Sequence, residues 1–195
     1  SATDAAAVRP GGLKRTAPDR RPPAAVTPLR DGPDVSWLPH CWVGDDQGQD
    51  GACAVFAMAS WAEVMYRCQI SNAACIDVYR TALRRAGWLP HHTGLEPASS
   101  LAPLLQQPLI AGYRITPAWD RVSPQGCLDH DAPDAPSRGY HAVLIVAHGR
   151  VDGLYGRWVY IENSWSGWGW RGVGIGIMSE TLHLKLCREL WTITP

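Results

Sequence analysis

An α+β fold is predicted by three features of the chain. Residues 53–67 are a run of good helix formers, apolar on most faces. Residues from about 75 to 86 form a second helical stretch. From Tyr140 the composition switches to apolar, partly β-branched segments set on either side of a turn. A helix that is apolar nearly all round is one buried between two layers. The helix opening at Cys53 is therefore expected to be buried between two halves of the domain, one of them containing the antiparallel pair of later strands. At 195 residues, one domain is the default.

Residues 1–33 set Pro10, Pro18, Pro22, Pro23, Pro28 and Pro33 among Arg9, Lys14, Arg15, Arg20, Arg21 and Arg30, with almost nothing apolar to bury. This is the composition of a disordered tail or interdomain linker, its basic residues solvated. From Asp34 the chain turns apolar, so the folded domain is expected to span 34–195. The Cys53 helix carries Ala54, Val55, Phe56, Met58, Trp61 and Val64 and runs to about Arg67. The second helix, from about Cys75 to Ala86, ends at Gly87. Pro90 and Pro97 punctuate a loop over 88–98, and a short third helix is expected near 98–106. Residues 116–139, with Pro117, Pro124, Pro133 and Pro136, read as a long irregular excursion, and loops of that length are functional or disordered.

Apolar residues make up 46% of the chain and the formal net charge is +0. The core is ample, and the charge balance gives no basis for nucleic acid or an acidic membrane surface as partner. No apolar run approaches the ~20 residues that span a bilayer. No cofactor motif is present. His40-Cys41 and His91-His92 lack the paired cysteines of a structural metal site, so no metal is expected. His91 and His92 read as solvated loop histidines.

The chemistry concentrates in two places. In Gln47-Gly48-Gln49-Asp50-Gly51-Ala52-Cys53 a small, polar loop meets the start of the helix. The partial positive charge of a helix N-terminus favours a thiolate, the nucleophilic form of cysteine. Gly51 and Ala52 leave room for a substrate backbone beside the sulfur. The Gln47 side-chain NH2 and the Cys53 N–H are a candidate pair of oxyanion donors. Downstream, two strands, Tyr140–His148 and Arg157–Asn163, flank a turn placed at Asp152. That pairing sets His141 opposite Asn163, within one hydrogen bond. A thiol, an imidazole and a carboxamide that orients it form the set a thiol hydrolase uses. His130, in the long excursion, is a weaker rival for the base.

Gln-Gly, Gly-Ala-Cys and Ala-x-Phe-Ala around Cys53 resemble the active-site segment of papain-like cysteine proteases, although Ala54 stands where many members carry Trp. Tyr140-His141-Ala142-Val143 resembles their His segment. Asn163-Ser164-Trp165-Ser166-Gly167-Trp168-Gly169 is similar to Asn-Ser-Trp-Gly-x-x-Trp-Gly, one residue shorter. The resemblance implies a papain-like α+β fold, in which the Cys53 helix packs against an antiparallel sheet or half-barrel with the active-site cleft between them. It implies Cys53 as nucleophile, His141 as base, Asn163 as its orienter and Gln47 as oxyanion donor. It also implies that Trp165 lines the site and shields the Asn–His bond, and that the substrate is a protein or peptide. Secreted members carry a disulfide cysteine where this chain has Asp50, which favours a reduced compartment for its six cysteines, with a Cys68–Cys75 bridge compatible but not required. His141 follows Cys53 by 88 residues, well short of the roughly 130–150 of papain and cathepsin relatives. A minimal domain of this kind looks like a bacterial effector or toxin, for which a cognate inhibitor or immunity protein is a candidate partner.

Two other readings keep the same residues. A papain-fold deamidase or acyltransferase would attack a glutamine side chain or resolve the thioester with an amine. A non-catalytic relative would only hold peptides. Catalysis predicts that Cys53 alkylates at mildly acidic pH, where a thiol with a pKa near ~8.5 is almost inert. Mass mapping of labelled peptides checks this, and equal, slow labelling of all six cysteines would count against it.

Overall fold

The structure, a computed structural model, describes residues 34–86, 95–96, 101–128 and 135–193. The expectations for residues 1–33 and for His91, His92 and His130 lie outside the described residues. The chain forms β1 (Val35–Ser36), α1 (Cys53–Tyr66), α2 (Asn72–Ala86), β2 (Leu95–Glu96), β3 (Leu109–Arg114), β4 (Cys127–Leu128), β5 (Tyr140–Arg150), β6 (Arg157–Glu162), β7 (Ile175–Ser179), α3 (Glu180–Leu186) and β8 (Cys187–Trp191). Along the sheet the order is β2-β8-β3-β5-β6-β7-β4, with β1 paired to β5. Neighbours are antiparallel except β4 and β7. The sheet is open, so the expected half-barrel is not closed.

β5 is the central wall, buried from His141 to Gly149. Its alternation separates two layers. Val143 and Ile145 pair with Ala111 and Leu109, and His141 with Tyr113, on a face covered by Trp119, Trp165, Trp168, Leu182 and Leu186. Ala142, Leu144 and Val146 face the other way, packed in one cluster with Cys53, Ala54, Ala57, Trp61 and Val64 of α1. A second side of α1 (Val55, Phe56, Ala59) meets Cys75, Ile76 and Tyr79 of α2. The helix is thus enclosed between sheet and α2, as its all-round apolar sequence requires. It ends at Arg67 in the left-handed region, φ 58°, a conformation that Gly or Asn adopts more readily.

Several sequence expectations shift. α2 begins at Asn72 rather than Cys75. The third helix is a short 3-10 turn, Ala102–Leu105. The excursion after Thr116 contains a 3-10 turn, Pro117–Asp120, and strand β4. Its base is closed by Ile115 N–H to Gly139 O and Arg138 N–H to Ile115 O, both 2.9 Å. The β5–β6 turn also moves. Arg150 pairs with Arg157, centring the turn past Gly153, and a bulge between Ile145 and Ala147 then shifts the register, so that Leu144 meets Glu162. A bulge adds a residue to one strand only, which no fixed sum of residue numbers can accommodate. His141 and Asn163 are therefore not cross-strand partners, and Asn163 reaches the imidazole with its side chain.

The α1 side of the sheet also holds buried acids. Glu162 lies on the same face as its partner Leu144, and Glu63 of α1 is 1% exposed. The Glu63 carboxylate accepts from Ile70 N–H at 2.5 Å, and Asp45 accepts from Ser60. Burial, reinforced by mutual repulsion, pushes Glu162 up to about 8 and Glu63 up to about 7, and burial alone pushes Asp45 up to about 6. Groups whose folded pKa is raised bind protons more tightly in the native state, so the stability they confer falls as pH rises from the ordinary carboxylate range through these values. The melting temperature is expected to decline between pH 5 and pH 8. Glu162→Gln should flatten that slope and raise the melting temperature at pH 8, as read by calorimetry across the pH series.

Candidate active site

Cys53 is the first residue of α1, and the helix hydrogen bonding begins with Phe56 N–H to Ala52 O at 3.1 Å. The first turn contains no acidic residue and no side-chain cap, so nothing within it offsets the partial positive charge at the thiol. Cys53 is fully buried in the cluster that includes Ala142, the neighbour of His141. Ala52 is also fully buried, packed with Val55, Phe56 and Cys75. Gly51 is half-buried beside it.

Gln47 is held from several sides. Its side-chain carbonyl accepts from the Ser164 hydroxyl at 2.7 Å and its backbone N–H donates to Ser164 O at 3.0 Å. Its side-chain NH2 donates one hydrogen to Asp50 O at 2.8 Å, and an amide carries a second. The Asp46 carboxylate accepts from Gly48 N–H and Ser166 N–H at 3.0 and 3.4 Å. The loop before the cysteine is thereby sewn to the loop after Asn163, across more than a hundred residues of chain.

His141, fully buried, lies 2.7 Å from Asn163 Oδ1 through Nε2. A carbonyl oxygen only accepts, so Nε2 carries the hydrogen and Nδ1 the lone pair. Trp165 packs over the imidazole, with ring centroids 4.4 Å apart and planes 30° apart. Trp119 stands perpendicular to it at 6.2 Å. Trp168 stacks on Trp119 at 5.7 Å and donates its indole N–H to Trp119 O at 2.8 Å. Asn163 is 2% exposed, and a hydrogen bond enclosed by rings instead of water is electrostatically stronger. The return of this loop depends on Gly174. At φ +87° it donates to Trp168 O and accepts from Asn163 N–H, and a Cβ there would lie 2.5 Å from the Asn163 carbonyl.

None of the six cysteines is joined in a disulfide, so the Cys68–Cys75 bridge is absent. Burial pushes Cys75 up to about 11 and Cys187 up to about 12, and burial with the Glu162 carboxylate beside it pushes Cys41 higher still. These three remain protonated and unreactive. Among the described residues no three or more of His, Cys, Asp and Glu gather in a way that could hold a metal ion.

Two residues near the site had no sequence signal. Trp119 arrives from the long excursion, on the Pro117–Asp120 turn. The Tyr79 phenol of α2 is raised by burial and by the nearby charges of Asp50 and Cys53, while the adjacent Arg80 pairs with Asp50 at 3.1 Å.

The architecture is the papain-like fold, with a helix that opens on a cysteine laid against a sheet that carries a histidine, and an asparagine in the loop that follows β6. Among solved structures the chain is similar to xylellain, a cysteine protease from Xylella fastidiosa, at 15% identity with a TM-score of 0.61, covering 95% of this chain and 98% of that one. It is also similar to a procathepsin B from Trypanosoma congolense (15% identity, TM-score 0.56, covering 90% and 83%). A third is the digestive procathepsin L2 proteinase of Tenebrio molitor larval midgut (14%, 0.54, 95% and 78%). By sequence, no family model and no curated protein matches it.

Loss of one oxyanion donor ordinarily costs about 10²–10³ in turnover, which is the effect expected at Gln47 on the reading of its amide as such a donor. Gln47→Ala is expected to slow acylation of Cys53 by that factor in single-turnover kinetics, and an unchanged rate would remove Gln47 from the site.

Proposed function

We propose that this chain is a thiol endopeptidase that cuts peptide bonds in a protein substrate. The observation that carries the reading is the buried 2.7 Å contact between His141 Nε2 and Asn163 Oδ1, enclosed by tryptophans, in a fold whose N-terminal helix opens on a cysteine. In this scheme His141 Nδ1 takes the Cys53 proton, and the helix N-terminus and the imidazolium stabilise the thiolate. The sulfur attacks the peptide carbonyl carbon, and the resulting oxyanion is held by the second Gln47 N–H and the Cys53 backbone N–H. The C–N bond breaks as Nδ1 returns its proton to the leaving amine, leaving a thioester. Water, deprotonated by Nδ1, attacks the thioester, and the thiol leaves with that proton as the acid product departs.

The leaving amine must lie within reach of His141. Residues beyond the cut bond therefore run over the loop after Trp165. There a shallow cavity of about 340 Å³ is lined by Val122, Pro124, Gly167, Trp168 and Arg171 among others. The short interval between Cys53 and His141 and the basic, proline-rich residues 1–33 support a bacterial effector or toxin role, with an inhibitor or immunity protein as partner.

Incubating the protein and its Cys53→Ala variant with a target proteome and labelling new N-termini tests the reaction. New N-termini that depend on Cys53 are expected. Intact substrates in which glutamine becomes glutamate would instead identify a deamidase, and no change in either direction would leave only peptide binding.

A further inference from the structure

We infer that Trp119 is a positioning residue for His141, a wall that holds the imidazole in the plane where Asn163 can orient it. This rests on the thiol-hydrolase reading of the same site. A hydrogen bond at Nε2 fixes one vertex of the ring and leaves its plane free to tilt about that contact. The plane is set by what packs against it. Trp165 covers one face at 4.4 Å, and Trp119 stands at 87° to the imidazole and 65° to Trp165, 6.1 Å from the latter. Trp119 therefore touches both the histidine and the ring that covers it.

The wall is itself braced. Trp168 stacks on Trp119 and is hydrogen bonded to its carbonyl. Tyr113, the β3 partner of His141, packs on Trp119 at 5.6 Å and is held at its hydroxyl by His183 Nδ1 at 2.6 Å. The ring reaches the site on the Pro117–Asp120 turn of the excursion, not from either catalytic strand. Its indole N–H is buried without a hydrogen-bond partner, which is a cost to the fold. The position thus uses the bulk of the ring rather than its polar atom. Replacing that bulk by a smaller side chain would open a cavity beside the imidazole, where water could compete for the Asn163 carbonyl and weaken the bond that favours the imidazolium.

The test titrates His141 by NMR in protein labelled with 13C-histidine, assigned with His141→Gln, and measures Cys53 alkylation against pH in the same samples. In Trp119→Leu, His141 is expected to lose its charge at a pH roughly one unit lower than in the unsubstituted protein, and Cys53 labelling at pH 5–6 should slow by about tenfold. Trp119→Phe, which keeps a ring, should recover most of both. Near-UV circular dichroism checks folding, and if the leucine variant does not fold, Trp119→Met takes its place. A folded variant whose titration and labelling superimpose on those of the unsubstituted protein overturns the role of Trp119 alone. Cys53 labelling no faster than an ordinary thiol in the unsubstituted protein removes the hydrolase reading, and this inference with it.

Discussion

The contact between His141 and Asn163 is the constraint around which this molecule is arranged. A single neutral hydrogen bond in water contributes little, because water competes for both partners. Here the histidine is fully buried and the asparagine 2% exposed, and three indoles occupy the surrounding space. The imidazole is consequently held with Nε2 toward the asparagine, and Nδ1 is the nitrogen that the proposed reaction uses. The aromatic layer of the core and the orientation of the proposed base are one structure, and changes in that layer act on the histidine.

β5 makes this possible by keeping two environments apart. One face belongs to the tryptophans, Tyr113 and His183, and the other to α1 and the buried acids. The proposed nucleophile is delivered from the second layer and the proposed base is set by the first. The sequence of β5 has to be apolar on both faces for that reason, and from Ala142 to Ala147 it is.

Legibility followed range. The α1 helix is readable from local composition, and the candidate site residues from short motifs, because a cysteine at a helix start and a His–Asn pair have recognisable neighbours. The β5–β6 register departs from the sequence reading mainly because the turn centres past Gly153 instead of at Asp152, and the bulge near Val146 then shifts it by one residue in the opposite sense, through packing that no local pattern encodes. β3, β7 and β8 carry little local signal: Gly112 and Gly176 interrupt the apolar runs of β3 and β7, and β8 follows α3 directly with no turn between them. Trp119 was invisible as a site residue because its role exists only once the excursion closes at Ile115 and Gly139. Tyr79 becomes a neighbour of Cys53 only through the docking of α2 on α1.

The seam between Gln47 and Ser164, with Asp46 spanning Gly48 and Ser166, has a mechanical implication. The loop that carries Gln47 and the loop that follows Asn163 are tied together at the proposed oxyanion donor itself. Parting them would break the Ser164 contacts that hold Gln47 together with the Asp46 contacts to Gly48 and Ser166. A substitution at Ser164 would therefore be felt by both loops at once.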